Sequence, residues 1–212
     1  MREVSQDELN DALRARVTAP VYDKLRSARV AIAGLGGLGS HVAMMLARAG
    51  VGHLLLVDFD CVDVSNINRQ AYLIEHIGMP KVEALALLLR AVNPAIELSL
   101  VQERVTMANA VELFSTYSLV CEAFDSSDQK AMLVNTLLAQ CPSMHLVAAS
   151  GMAGYAPANE IVTRAAFSRL TLCGDAQTDL ADDIPLLASR VMLCAAHQAH
   201  ALIRMILDAP AC

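Results

Sequence analysis

The chain has 212 residues, of which 55% are apolar and 18% charged, and its 16 basic and 22 acidic residues give a formal net charge of −6. A chain this apolar is not disordered, and its length suits one domain with a substantial core, so we expect residues 1–212 to form a single domain. An acidic chain without a cluster of Lys and Arg also disfavours general nucleic-acid binding.

Up to Gly151, the sequence predicts a regular alternation of helices and strands. Short apolar runs indicate buried strands, and apolar positions three and four apart indicate helices. In chain order these are helices over 5–16 and 20–27, a strand over 29–33, a helix over 37–49, a strand over 53–57, a helix over 80–91, a strand over 96–101, a helix over 106–114, a strand over 119–123, a helix over 126–140 and a strand over 144–148. This order is typical of a doubly wound, mainly parallel, Rossmann-like α/β sheet, here preceded by a short helical extension over 1–27.

The alternation ends after Gly151. Beyond it we expect one more strand over 160–166, a loop over 171–183 and a long C-terminal helix over 188–207. The two longest charge-free stretches, over 30–47 and 131–159, contain turn residues, so no membrane span is predicted. The first ten residues lack the apolar core of an export signal, and the six cysteines form no C-x-x-C pair, so we expect a cytoplasmic protein with reduced thiols and no zinc.

A glycine-rich turn joins the first predicted strand to the following helix. It reads Gly34-Leu35-Gly36-Gly37-Leu38-Gly39, and glycine allows a phosphate to approach the backbone at the positive end of a helix. Asp58 ends the next strand, where a carboxylate can accept both ribose hydroxyls. These features fit a dinucleotide and ATP equally, and a nicotinamide-dependent dehydrogenase would be the default interpretation. We interpret Asp60 and Asp63, which follow, as solvated loop carboxylates.

Two cationic residues favour ATP over a dinucleotide. Arg69 lies in the stretch S-N-I-N-R-Q after the Asp58 loop, and Lys81 lies in the first turn of a predicted helix, where the helix dipole disfavours a cation. A dehydrogenase needs no such pair, whereas the β- and γ-phosphates of ATP leave as pyrophosphate and require fixed positive charge. Asp125 follows the fourth strand at the same end of the sheet, where it could hold Mg²⁺ on the triphosphate.

In these motifs the sequence resembles the ubiquitin-activating superfamily, and within it the bacterial sulfur-carrier adenylyltransferases ThiF and MoeB. The matching strings are G-L-G-G-L-G-S over 34–40, L-V-D-F-D over 56–60, S-N-I-N-R-Q over 65–70, G-M-P-K-V over 78–82, N-P over 93–94 and F-D-S over 124–126. Four further strings, E-A-F-D over 122–125, A-S-G-M-A-G-Y over 149–155, C-G-D over 173–175 and A-H-Q-A over 196–199, are similar to a short ThiF-like subgroup.

The resemblance implies ATP-dependent adenylation of the C-terminal Gly-Gly carboxylate of a small ubiquitin-like, ThiS-like sulfur carrier protein, with release of pyrophosphate, in thiamine thiazole biosynthesis. It implies ATP and Mg²⁺ as cofactors and a homodimer. It implies these site residues: Gly36 and Gly37 in the phosphate loop, Asp58 at the ribose, Asn66, Arg69 and Gln70 along the nucleotide, Lys81 at the phosphates and Asp125 on magnesium. Molybdopterin synthesis or another sulfur-carrier pathway is the alternative, followed by an NAD-dependent oxidoreductase.

The resemblance also has departures. Some ThiF proteins have a cysteine in the loop before the last helix that bonds to the activated carrier, whereas the stretch 179–187 has none here, so the covalent step is open and Cys173 is the candidate. The family uses an arginine from the partner's N-terminal segment, for which Arg14 and Arg16 are candidates. Activation of a tRNA-bound carboxylate, as in threonylcarbamoyl-adenosine dehydratases, would need a basic face, which the net charge disfavours.

Overall fold

The computed structural model describes residues 4–178 and 184–209. The helices and strands are, in chain order, α1 (Gln6–Val17), α2 (Ala19–Ser27), β1 (Arg29–Ala33), α3 (Gly37–Ala49), β2 (His53–Val57), α4 (Lys81–Val92), β3 (Glu97–Val101), α5 (Ala110–Phe114), β4 (Leu119–Glu122), α6 (Ser127–Gln140), β5 (His145–Ala149), β6 (Val162–Phe167), β7 (Leu170–Gly174) and α7 (Ala188–Asp208). In the part of the chain described, none of the helices combines the length and the hydropathy of a bilayer crossing.

The strands form one sheet in the order β3-β2-β1-β4-β5-β7-β6. All neighbouring pairs are parallel except β6 and β7, which are antiparallel. The predicted doubly wound, mainly parallel α/β fold is therefore confirmed. The chain reverses its direction of winding between β1 and β4, and in such sheets ligands bind in the crevice beyond the carboxyl ends of those strands.

Helices cover both faces of the sheet, which explains why the strands are continuous apolar runs. Successive side chains of a strand point to opposite faces. Ile32 and Leu54 therefore pack in the cluster formed with α3, α4 and α7, whereas Ala33 and Leu55 pack in the cluster formed with α5 and α6. The N-terminal extension attaches to the last helix through Lys24, whose Nζ donates to the carbonyl oxygens of Leu207 and Ala209 at 2.6 and 2.7 Å.

The predicted loop over 171–183 is wrong for its first residues, because Leu170–Gly174 forms β7 between β5 and β6. Residues 168–169 are the turn of a β6–β7 hairpin and include no glycine or asparagine, and the register of the pair shifts between Ala165 and Phe167. The hairpin thus lacks the turn residues from which a hairpin is usually predicted. Residues 179–183, the end of the predicted loop, lie outside the described residues.

The helix predicted over 106–114 begins only at Ala110. The Asn109 side-chain oxygen accepts hydrogen bonds from the backbone N–H and the hydroxyl of Thr106, at 2.7 and 3.1 Å. This local side-chain bonding competes with helix formation and delays the first helical turn.

Candidate active site

A cleft of about 460 Å³ lies over the carboxyl ends of β1, β2 and β4. It is lined by every residue that the sequence proposed for nucleotide, phosphate or metal, namely Gly36, Gly37, Asp58, Asn66, Arg69, Gln70, Lys81 and Asp125. These side chains come from segments far apart in the sequence, and the sheet brings them to one edge. The roles given to the individual residues stay predictions.

The glycine turn is shaped mainly by the protein around it. Gly34 has a φ of +90°, and a Cβ there would lie 2.9 Å from the carbonyl oxygen of Ala123. A Cβ on Gly39 would collide with the carbonyl oxygen of Gly34, whereas a Cβ on Gly36 would meet only Gln70 Nε2 at 3.8 Å. The outer glycines therefore permit close packing, and so does Gly37, where a Cβ would lie 2.9 Å from Val191 Cγ1. Gly36 faces the open cleft just before α3, whose first N–H groups lack intrahelical partners.

The Asp58 carboxylate is buried at the end of β2 and held in place by two backbone donors. The N–H of Leu35 donates to Oδ2 at 2.6 Å, and the N–H of Asp60 donates to Oδ1 at 2.9 Å. Burial raises the pKa of Asp58, and the nearby positive charge of Lys81 partly opposes that rise. Since each carboxylate oxygen can accept more than one hydrogen bond, the group can still accept ligand hydroxyls from the cleft.

The side-chain oxygen of Gln70 is a buried hydrogen-bond acceptor in the wall of the cleft. Its Oε1 accepts no hydrogen bond from any residue that the structure describes. The backbone N–H of Gln70 donates to the carbonyl of Asn66 at 2.9 Å, which fixes the short turn that carries both side chains. A buried acceptor without a donor is costly, so its position in the cleft wall fits a ligand that supplies the donor.

Lys81 is the first residue of α4 and its side chain is only 8% exposed. Its Nζ donates to Asp60 Oδ2 at 2.9 Å, and this carboxylate offsets the unfavourable interaction of a cation with the helix dipole. Asp60, interpreted from the sequence as a solvated loop carboxylate, is thus partly exposed but also paired with Lys81. Asp63, by contrast, is exposed and accepts the N–H of Ser65 at 2.8 Å, at the start of a 3-10 turn.

Arg69 brings the second positive charge to the cleft. Its Nη1 donates to the carbonyl of Ser65 and to Asn68 Oδ1, both at 2.8 Å. These bonds hold the guanidinium in one orientation, and its remaining N–H groups can meet phosphate oxygens, which match the planar fork of arginine.

Asp125 is exposed on the turn after β4, and hydrogen bonds of Glu122 stabilise this turn. Glu122 is fully buried at the end of β4, and its Oε1 accepts the N–H of Phe124 at 2.7 Å, while Lys130 Nζ lies 3.1 Å from both carboxylate oxygens. Burial raises the pKa of Glu122, and Lys130 opposes this rise. Within residues 4–178 and 184–209 no three His, Cys, Asp or Glu residues form a metal cluster. What the cleft offers a cation is the exposed carboxylate of Asp125, and a single carboxylate can bind Mg²⁺ together with phosphate oxygens and water.

Several cleft residues were missed by the sequence reasoning. Phe59 and Asp60 follow β2, and Glu103 and Arg104 follow β3. The Arg104 guanidinium lies 3.7 Å from the centre of the Phe59 ring, a cation–π contact at the cleft wall. Only their position indicated a place in the cleft, because residues just beyond the carboxyl ends of parallel strands face the same crevice.

A second cavity of about 360 Å³ adjoins the cleft. The two share Leu38, Phe124, Asp125 and Met152 in their walls, and Lys130 also lines the second cavity. The rest of its lining includes segments 149–153 and 176–178, which follow β5 and β7. A molecule in this cavity would thus lie beside whatever occupies the cleft.

Two further candidates lie outside both cavities. The Cys173 thiol is buried, and burial raises its pKa, so it is not an accessible thiolate of the kind that attacks an acyl group. Arg14 lies on α1, where it pairs with Asp23 at 3.3 Å and contacts the Tyr22 ring of the same chain.

Comparisons with known proteins identify a family match over almost the whole chain. Residues 9–211 match the model of the ThiF family. The Escherichia coli tRNA threonylcarbamoyladenosine dehydratase is 36% identical over 135 residues, which cover 59% of this chain and 50% of the relative. The Haemophilus influenzae molybdopterin-synthase adenylyltransferase is 34% identical over 132 residues, covering 62% and 53%. The Thermus thermophilus sulfur carrier protein adenylyltransferase is 39% identical over 105 residues, covering 49% and 39%. The chain thus spans about half the length, or less, of these curated relatives.

Solved structures give the same fold. The E. coli tRNA dehydratase TcdA in complex with ATP superposes with a TM-score of 0.86 over 98% of both chains at 21% identity. E. coli MccB with ATP superposes with a TM-score of 0.70 over 89% of this chain and 58% of that one, at 23% identity. At these identities the likeness concerns the fold.

Proposed function

The chain belongs to the ThiF family, and from this premise we propose that it activates a carboxylate by ATP-dependent adenylation. The carboxylate and ATP would form an acyl-adenylate and pyrophosphate. The observation that carries the proposal is the convergence of Arg69, Lys81 and Asp125 on the cleft that also contains Asp58 and the glycine turn.

The reaction needs positioning and charge neutralisation rather than a general base, because the attacking carboxylate is already an anion. The glycine turn and the start of α3 would fix the phosphates, while Arg69 and Lys81 would stabilise the departing pyrophosphate. Mg²⁺, held by Asp125 and phosphate oxygens, would add positive charge on the triphosphate.

The ribose end of the cleft fits a nucleoside. Asp58 offers carboxyl oxygens as acceptors beside the glycine turn, and Gln70 Oε1 is a buried acceptor without a donor among the described residues. An NAD-dependent oxidoreductase would use the same ribose contacts but would leave Arg69 and Lys81 without a phosphate to bind beyond the first two. These cations favour ATP.

For the acyl substrate, we favour a small ubiquitin-like sulfur carrier protein ending in Gly-Gly, of the ThiS type, in thiamine thiazole biosynthesis. Two adenylyltransferases among the relatives, one of them for sulfur carrier protein, support the class of substrate. The thiamine pathway rests only on the sequence strings similar to the short ThiF-like subgroup. A homodimer is part of the same proposal.

A tRNA-bound carboxylate is the second candidate, supported by the 36% identity to the E. coli tRNA dehydratase. The formal net charge of −6 disfavours it, since tRNA binding depends on contacts from Lys and Arg to phosphates.

The test is ATP–pyrophosphate exchange with labelled pyrophosphate. The purified protein is assayed with a ThiS-type carrier, with a carrier of the molybdopterin pathway and with threonylcarbamoyl-modified tRNA. We expect exchange with the ThiS-type carrier, and none when its two terminal glycines are removed. Exchange with only the tRNA, or with none of the three substrates, would contradict the favoured function.

A further inference from the structure

A buried ion pair joins Asp175, just after β7, to Arg190 in the first turn of α7. Arg190 Nη2 lies 2.6 Å from Asp175 Oδ2, and the two side chains are only 4% and 3% exposed. Nε binds the carbonyl of Ala153 at 3.0 Å, and Nη1 binds those of Ala156 and Pro157 at 2.6 and 3.1 Å, while Nη2 also lies 4.0 Å from Glu160 Oε2. Arg190 therefore fixes the segment that follows β5.

Asp175 fixes the segment that follows β7. Its Oδ1 accepts the N–H groups of Gln177 and Thr178, each at 2.9 Å, and its own N–H donates to the carbonyl of Gly151 at 2.9 Å. Burial opposes ionisation of Asp175, but these donors and Arg190 outweigh it and lower its pKa to about 2. The space is tight, since a Cβ on Gly151 would collide with Asp175 Oδ1.

The two segments that this pair joins are walls of the second cavity. Residues 149–153 and 176–178 line it, while Asp125 and Lys130 line it from the α6 side. Most of the first segment is Ala or Gly, which leaves room for an extended chain with small side chains. Neither Asp175 nor Arg190 lines the cavity itself.

The pair is not explained by stability alone. A buried ion pair adds little net stability over apolar residues of similar volume, because both charges lose their hydration. What it does impose is a fixed distance between the two walls, and placement errors of about 1 Å can cost about a hundredfold in a reaction of aligned groups.

We propose that Asp175 and Arg190 are positioning residues for the acyl substrate. Their ion pair holds the two walls of the second cavity, so that the tail ending in the reactive carboxylate lies beside the α-phosphate. This inference rests on the proposed adenylation, because it assigns the cavity to the acyl half of that reaction and the cleft to the nucleotide half.

The experiment compares two probes, 5′-sulfamoyladenosine and its glycylglycyl derivative, a stable mimic of an acyl-adenylate. Their dissociation constants are measured by calorimetry for the parent chain, Arg190→Lys and Asp175→Asn, after circular dichroism has shown each to be folded. Arg169→Lys is the matched control. Arg169 also binds three backbone carbonyls, of Leu138, Cys141 and Met144, but none of these three residues lines either cavity.

We expect the parent chain and Arg169→Lys to bind the glycylglycyl probe about tenfold or more tighter than the bare nucleoside. Arg190→Lys and Asp175→Asn should both lose most of this difference, while their affinity for the bare nucleoside stays within about twofold of the parent value. A purely structural role would weaken both probes together.

Three outcomes overturn the inference alone. The glycylglycyl group adds no affinity in the parent chain, or its added affinity survives in both Arg190→Lys and Asp175→Asn, or both probes weaken equally in these two variants. Failure of the parent chain to bind even the bare nucleoside would instead overturn the proposed nucleotide site, and with it the inference.

Discussion

Replacing Lys81 by Met tests the role of the buried cation in the cleft. Met keeps most of the length and apolar packing of the lysine stem but removes the ammonium group. The partner of the removed ammonium group is Asp60, whose side chain is 45% exposed, so water can solvate its carboxylate in the variant. Because the pair is screened on that side, we expect a loss of at most about 1 kcal/mol of folding free energy. The melting temperature should therefore fall by no more than about 4 °C.

The effect on ATP should be much larger than the effect on the fold. A hydrogen bond to a charged group contributes about 1.5–3 kcal/mol, which corresponds to a dissociation constant for ATP raised about 10- to 100-fold. AMP lacks the β- and γ-phosphates, so its affinity should change by less than about twofold. Loss of one electrostatic donor in the transition state should lower pyrophosphate exchange by a factor of about 10² to 10³.

The assay is calorimetric titration of the parent chain, Lys81→Met and Lys24→Met with ATP–Mg²⁺ and with AMP. Lys24→Met is the control because it changes the net charge by the same amount as Lys81→Met. Lys24 binds the end of α7 and lies outside the cleft. Equal weakening of ATP and AMP in Lys81→Met, or no weakening of ATP, would refute a contact between Lys81 and the outer phosphates.

Four further predictions concern single residues. Asp125→Asn should abolish the gain in ATP affinity that Mg²⁺ gives, and titrations that show the parent response to Mg²⁺ would exclude it as a ligand. Burial raises the pKa of Asp58 above the usual 3.8, so binding of 5′-sulfamoyladenosine should weaken as the pH falls and the Asp58 carboxylate is protonated. Asp58→Asn should lack this pH dependence, and identical pH profiles for the parent chain and the variant would contradict the prediction. Gly39→Ala should lower the free energy of unfolding by about 1–3 kcal/mol in urea, because its Cβ collides with Gly34. Cys173 should form no thioester with the carrier because its thiol is buried, and a carrier thioester trapped on Cys173 would refute this.

The central β-α-β units could be predicted from the sequence because burial on both faces makes β1 and β2 uninterrupted apolar runs ended by Gly34 and Asp58. The strand β7 of the hairpin could not be predicted in the same way. Its pairing depends on a bulge in β6 and on a two-residue turn without glycine, and neither leaves a pattern in local sequence.

The cleft was predictable where a motif coincided with a strand end, as at Asp58 and Asp125. The pairing of Asp60 with Lys81 was not, because it depends on an isolated bridge between Cys61 and Pro80 that brings the two residues together. Arg104 belongs to the cleft only because the sheet order places β3 next to β2, and no local pattern reports that order.

The two outer glycines of the turn after β1 have a consequence for how such motifs are interpreted. Gly34 and Gly39 are required by neighbouring backbone, at Ala123 and within the turn itself, whether or not a nucleotide is present. A descendant of this chain that had abandoned ATP would still lose stability if either glycine were replaced. Their presence in a sequence therefore reports the shape of a backbone corner, and it is the ionisable residues around that corner that reveal whether chemistry is carried out there.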